Sequence, residues 1–202
     1  MSKRTVERAD AARNREAIVK AATDLFDREG VQAVSMADIA IAAGVGKGTV
    51  FRRFGDRTAL IKAILQPRAT ALRETVLSGQ PPLGPGGAPE EALHRYLDAL
   101  FDFVWANRGL IRALEHRGPH AYYANAASQF WIAELTRRLE AARPDEDASY
   151  LAHAVFTALR ADAIDYLLTT QDMPPDRIRA GLHRLVGPAR RPGRRNSARR
   201  SS

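Results

Sequence analysis

The chain has 202 residues, 45% hydrophobic and 27% charged, a composition that fits a soluble globular protein of one domain or two small ones. With no cysteine, it excludes a disulfide framework, thiolate metal sites, iron–sulfur clusters and thiol nucleophiles together, and it agrees with a reducing cytosol. The N-terminal stretch "MSKRTVERADAARNREA" lacks the apolar core of a signal peptide, and no uninterrupted apolar run approaches the ~18 residues of a membrane helix. A cytoplasmic protein with no membrane partner is expected.

The net charge of +8 is unevenly placed. Residues 1–66 carry 12 Lys and Arg against 8 Asp and Glu, residues 67–186 carry 13 against 15, and residues 187–202 carry 6 against none. Basic ends on a mildly acidic body suggest a polyanionic partner. Nucleic acid ranks ahead of an anionic membrane, because no basic amphipathic helix accompanies the charge.

Helical punctuation dominates the first third. Asp10 can cap a helix whose apolar face includes Ile18, Val19, Ala22, Leu25 and Phe26, with Gly30 as its stop. Ser35 and Asp38 form a capping box, and Val34 and Ile39 occupy the two positions of a hydrophobic staple around it. That second helix is short and runs into Gly44; a third spans about Lys47 to Phe54, and Gly55 and Asp56 open a fourth. Pro67 predicts a kink or break in the fourth helix, because it lacks the NH for the carbonyl of Ala63. The fourth pattern resumes to about Leu77, and "SGQPPLGPGGAP" is then a loop. Helical spacing follows over Glu90 to Ala106, Asn107 to about His116, Tyr122 to Ala142, Asp147 to Thr170 and Asp176 to Val186. From Pro188 on, the Arg-rich segment has almost nothing apolar and is expected to be disordered, either a solubilising extension or a non-specific DNA contact. No strand pattern or internal repeat is found, so the fold class is all-α. The expected domains are residues 1–66, 67–186 and a basic tail, 187–202.

Two short helices joined by a tight Gly-containing turn, the second rich in small, basic and hydroxyl residues, meet the requirements of a helix-turn-helix. Ala40 lets the second helix cross closely, Gly44 supplies a left-handed turn residue, and Ile39, Val45 and Val50 form the apolar seam. Lys47, Gly48 and Thr49 allow close approach to base edges, while Arg52, Arg53 and Arg57 can reach base acceptors or phosphates.

The stretch "SMADIAIAAGVGKGTVFRRFGDRTALIKAIL", preceded by "IVKAATDLFDREGVQAV", resembles the DNA-binding domain of the TetR (tetracycline-repressor-like) family of bacterial transcription regulators over about residues 13 to 65. The resemblance implies phosphate or groove-edge contacts at Ser35, Thr49 and Arg57 and base contacts at Lys47, Gly48 and Arg52. Two positions depart from the pattern: Gly46 stands where a Ser commonly caps the recognition helix, and Phe51 where a Tyr commonly gives its hydroxyl to a phosphate. The resemblance also implies a homodimer on double-stranded, palindromic operator DNA, with the helices over about Asp147 to Thr170 and Asp176 to Val186 pairing. A small-molecule effector releasing a repressor is the implied mechanism.

The aromatic group Phe101, Phe103, Trp105, Tyr122, Tyr123, Phe130, Trp131, Phe156 and Tyr166 fits a plain core or the lining of an effector pocket, with Phe101, Trp105, Tyr123, Phe130, Trp131 and Phe156 as pocket candidates. Asp162, on the apolar line between Leu159 and Tyr166, is either paired with a nearby Arg or faces a polar cavity, and joins the candidates. His116 and His120 have the i, i+4 spacing of a metal pair, but Gly118 and Pro119 interrupt the helix it needs. No metal or cofactor is expected, and with no phosphate loop, nucleophile elbow or carboxylate pair, no enzyme. The rival reading is a ligand-binding sensor acting through a protein partner, which a salt-sensitive footprint on one palindrome separates from a regulator.

Overall fold

A computed structural model of the chain describes residues 3–115 and 120–187. The basic tail from Pro188 and most of the His116 to His120 pair lie outside the described residues, so neither expectation is tested there. Ten α-helices and no strand are found among the described residues, in keeping with the all-α expectation: α1 Lys3–Glu29, α2 Met36–Ala42, α3 Lys47–Phe54, α4 Arg57–Ser78, α5 Pro89–Glu115, α6 Ala121–Ala124, α7 Ala126–Ala142, α8 Ala148–Ala158, α9 Ala161–Thr169 and α10 Pro175–Leu185.

The local rules work well at α2. The Ser35 Oγ accepts from the Asp38 amide (3.2 Å), the Asp38 carboxylate accepts from the Ser35 amide (2.8 Å), and Val34 and Ile39 are both buried as a staple. At the other end Gly44 adopts a φ of 65°, the Gly44 amide donates to Ile41 O (3.1 Å) and the Val45 amide to Ala40 O (3.0 Å). This is a Schellman stop, and it fixes the turn between α2 and α3.

Elsewhere tertiary contacts override the local signals. Asp10 is not a cap: α1 runs from Lys3, and the Asp10 carboxylate accepts from Arg13 one turn on. Pro67 does not break α4, because it lies on the exposed face, where the carbonyl it leaves without a donor can turn to water. Asn107 does not divide α5. Its amide nitrogen donates to the Phe103 carbonyl one turn back (2.8 Å) and its oxygen accepts from Arg68 of α4 (2.6 Å). Tyr122 to Ala142 is not one helix, since Asn125 caps a new start by accepting from the Ser128 amide (3.0 Å). Asp147 to Thr170 is broken at Leu159 and Arg160, where the Glu115 carboxylate at the end of α5 accepts from the Ala161 (2.9 Å) and Asp162 (3.2 Å) amides. A carboxylate brought from α5 satisfies the first NH groups of α9, so a new helix starts there instead of α8 continuing.

The buried side chains form two clusters. One gathers Ile18, Ile39, Val50, Phe54, Leu60 and Ile64 from α1–α4. The other gathers Leu93, Tyr96, Phe101, Leu135, Val155 and Ile164 from the later helices. The helix α5, about 40 Å long, belongs to both, since Leu110 near its C-terminus lies in the first cluster. Gly109 makes this approach possible: a Cβ there would lie 3.2 Å from the Val31 Cγ2. In the second cluster Arg138 is only 3% exposed. It donates to Glu134 (2.8 Å) and to the Ala92 carbonyl (2.9 Å), and further to the Pro82 and Leu83 carbonyls, so it holds the 81–88 loop onto α7. Burial pushes the nearby Tyr96 phenol well up, which keeps it a donor to the Trp131 carbonyl (3.0 Å).

Two consequences can be measured. Arg138→Ala leaves buried carbonyls of the 82–92 segment without a donor and should cost ~3–5 kcal/mol in urea unfolding, which Arg138→Met should not recover. Ser35→Ala should cost about 1 kcal/mol at neutral pH. The hydrogen bonds from Ser35 hold the Asp38 carboxyl below its usual range, so the mutual support of this pair is present above the ordinary carboxylate value and is lost as pH falls from there through the lowered one. The gap between wild type and Ser35→Ala should therefore narrow in acid.

Candidate nucleic-acid interface

The eight residues of α3 sort by face. Val50 is fully buried and Phe54 nearly so, and at 100° per residue Arg52 points opposite that pair. Gly48 and Thr49 lie to either side of Arg52, Lys47 and Phe51 on one flank and Arg53 on the other. Lys47, Gly48, Arg52 and Arg53 are exposed, Thr49 is half-buried, and Phe51 leaves 42% of its surface in solvent. A Cβ placed on Gly48 would meet nothing within 4 Å, so the reading face has a notch where a backbone or base edge can come close. Among the described residues neither Arg52 nor Arg53 is tied to a carboxylate, while the Lys47 ammonium sits 6.0 Å from the Phe51 ring centre. Gly46 caps α3 with no side-chain bond, as its sequence implies.

Ser35 is exposed at the start of α2. Arg57 is placed differently from the phosphate contact that the resemblance implies. It is half-buried, its two terminal nitrogens donate to the carbonyls of Val34 and Val31, and its guanidinium lies 5.4 Å from the Phe26 ring centre. The turn between α1 and α2 has carbonyls that no helix uses, and a guanidinium from α4 satisfies two of them. Arg57 therefore braces α4 against the cap of α2.

The seven candidate pocket residues are divided between the core and the surface of the body. Phe101, Trp131 and Phe156 are buried in the body's core, Trp105 packs on Phe101 at 6.1 Å, and Phe130 meets Trp131 edge-on at 4.8 Å. The Tyr123 hydroxyl lies 2.9 Å from Thr157 Oγ1, and Asp162 is paired with Arg160 (2.6 and 2.9 Å). Two clefts are open elsewhere, and none of the seven lines either. One, of about 310 Å³, separates Phe26, Gly30 and Val31 from Asn107, Leu110, Ala161 and Asp165; the other, about 330 Å³, lies beside Glu134, Arg137 and the 84–87 loop. Sequence reasoning missed Gly109, Arg138 and Glu115, whose roles depend on partners tens of residues away. Among the described residues no group of three or more His, Asp or Glu could hold a metal, and no helix is long and apolar enough to cross a membrane.

Residues 18–64 match the sequence model of bacterial regulatory proteins of the tetR family. The chain is 44% identical over 59 residues to an HTH-type transcriptional regulator of Staphylococcus aureus (strain USA300); the match covers 29% of this chain and 32% of that relative, about a third of its length. Over the whole fold it is similar to a transcriptional regulator of Saccharomonospora viridis crystallised in complex with choline (TM-score 0.65, 18% identity, 85% of this chain and 94% of that one). A TetR/AcrR-family regulator of Thermobifida fusca is as close (0.65, 20%, 88% and 98%), and Thermus thermophilus FadR, a TetR-family repressor in complex with lauroyl-CoA, follows (0.53, 20%, 85% and 92%). The capped α2, the Schellman turn and the exposed α3 coincide with the matched segment, and it is residues 18–64 that carry the likeness to bacterial regulatory proteins of the tetR family.

Proposed function

We propose that the protein is a sequence-specific DNA-binding transcriptional regulator whose residues 1–66 read DNA and whose residues 67–186 pair two copies and take a small-molecule effector. The observation that carries this reading is the face of α3: Arg52 opposite the buried Val50 and Phe54, an open Gly48 beside it, and no competing carboxylate on Arg52 or Arg53. Arg52 and Lys47 reach base edges through the notch at Gly48, while Thr49, Arg53 and Ser35 sit where the phosphates pass. Phe51 packs against the backbone without a hydrogen bond. One eight-residue helix reads few base pairs, so two copies related by a two-fold axis double the readout of a palindrome, with reading helices about 34–36 Å apart.

In the body, exposed Tyr150 and Tyr166 on α8 and α9 and Leu185 on α10 supply apolar surface for the second copy. Effector binding is supported by the two similar structures crystallised with choline and with lauroyl-CoA, and the identity of the effector here is set by this chain's own interior. Repression and its release follow if the effector prefers the form in which the reading helices are mis-spaced.

Sedimentation and selection from randomised DNA test the reading: a dimer that enriches a palindrome is expected, and a monomer that selects nothing would overturn it. Lys47→Ala and Arg52→Ala should relax base preference, while Arg53→Ala should weaken all sequences alike and lower the salt slope by about 1. Phe51→Tyr should tighten every sequence by about 0.5–1.5 kcal/mol by adding a phosphate hydrogen bond. Arg57→Ala, which removes the brace, should lower stability of the residue 1–66 domain in parallel with affinity, and an affinity loss at unchanged stability would return Arg57 to the phosphates.

A further inference from the structure

Four side chains of α5 and α10 form an unbroken line. The Glu90 carboxylate lies 3.2 Å from His94 Nε2, His94 Nδ1 lies 2.6 Å from His183 Nδ1, and His183 Nε2 lies 2.9 Å from the Asp98 carboxylate. The ring centres are 4.8 Å apart at an interplanar angle of 30°. That separation is close to two ring radii plus the nitrogen gap, so the rings meet edge to edge along the bond between them. Around the line stand Arg95 and Asp102 of α5, Arg179 of α10, which reaches both Asp98 and Asp102, and Arg143 after α7, which grips Glu90.

The hydrogen bonds fix the number of protons. Each Nε2 faces a carboxylate, which only accepts, so each must carry a hydrogen; the two Nδ1 atoms face each other and have room for one hydrogen between them. Two rings thus hold three protons, which makes one imidazole neutral and the other charged. The hydrogen bond from Arg143 holds Glu90 below the usual carboxylate range; burial pushes Asp98 up, but the hydrogen bonds from His183 and Arg179 outweigh it and hold it low. Both ends of the line therefore remain anionic acceptors through neutrality and favour one shared positive charge.

We propose that Glu90, His94, His183 and Asp98 form a proton-counted latch that seats α10 on α5, closed with three protons on the two rings and opened by a fourth. A fourth proton sets two N–H groups head to head across 2.6 Å, and the rings must part. Losing the third proton costs one of the three links and leaves two nitrogen lone pairs facing each other, so the seat loosens on the alkaline side as well. The latch goes beyond DNA reading, and only its consequence rests on the proposed pairing role of α10: acidification weakens self-association.

The full-length protein labelled with nitrogen-15 at histidine, titrated by NMR from pH 5 to 9, gives the test. The His94 and His183 rings should hold three protons over a plateau bounded by two separate steps. Across the acid part of the plateau, where the closed form still holds three protons, α10 amide exchange divided by its intrinsic rate should rise about tenfold per pH unit as pH falls, the slope of an opening that takes up one proton. His94→Gln and His183→Gln should abolish that slope whatever they do to stability, a result that a purely structural pair would not give. A single shared step for both rings, or α10 exchange without the acid slope, would overturn the latch. If the latch behaves as described while sedimentation shows the same self-association at pH 5.5 and 7.5, the latch stands and the pairing role of α10 falls.

Discussion

A helix of eight residues cannot hold itself in water, since isolated helices shorter than about 12–15 residues are marginal. The reading helix α3 exists because Val50 and Phe54 are buried in the core formed by α1, α2 and α4 and closed from outside by Leu110 of α5. Everything the exposed face of α3 can do depends on that burial, because it fixes which way Arg52 points. The Schellman turn before α3 adds direction: with Gly44 in the left-handed region and two backbone bonds closing the stop, the angle between α2 and α3 has little freedom.

The same constraint extends into the body. Gly109 lets α5 pass close to Val31, Asn107 of α5 accepts from Arg68 of α4, and Arg57 at the head of α4 grips the turn that carries the cap of α2. Head and body are therefore joined by the close approach of Gly109 to Val31 and by Leu110, while α4, which runs from one into the other, is tied to the head's turn by Arg57 and to α5 by Arg68. A shift of α4 relative to α5 strains the Arg68–Asn107 bond, and Arg57 passes a movement of α4 to the turn before α2, so a change in the body has a physical route to the angle of α3. The cleft between Phe26 and Asn107 lies along this seam.

The fold was legible in the sequence wherever one residue's neighbours along the chain decide its state. Ser35 with Asp38 wrote the start of α2, Gly44 its end, and the alternation of Val50 and Phe54 with Arg52 wrote the two faces of α3. The candidate DNA face was legible for the same reason, apart from Arg57. Its carbonyl partners, Val31 and Val34, are more than twenty residues away, and the resemblance that assigned it to phosphate carried no information about them.

The sequence by itself determined helix class, the cap and turn chemistry of the reading motif and the basic residues on it, because these rest on interactions within one or two helical turns. Only the tertiary structure decided where the longer helices break and which polar groups they bury. The apolar rhythm runs through Leu159 without interruption, yet α9 begins anew because Glu115 supplies a carboxylate to its first amides; Pro67 signals a break, yet α4 continues because that side faces water. The edge-to-edge meeting of His94 with His183, and the locking of Arg138 among loop carbonyls, likewise join residues separated by 89 and up to 56 positions. Hydrogen bonds act over about 3 Å, whatever the separation along the chain, so packing alone settles which of them form.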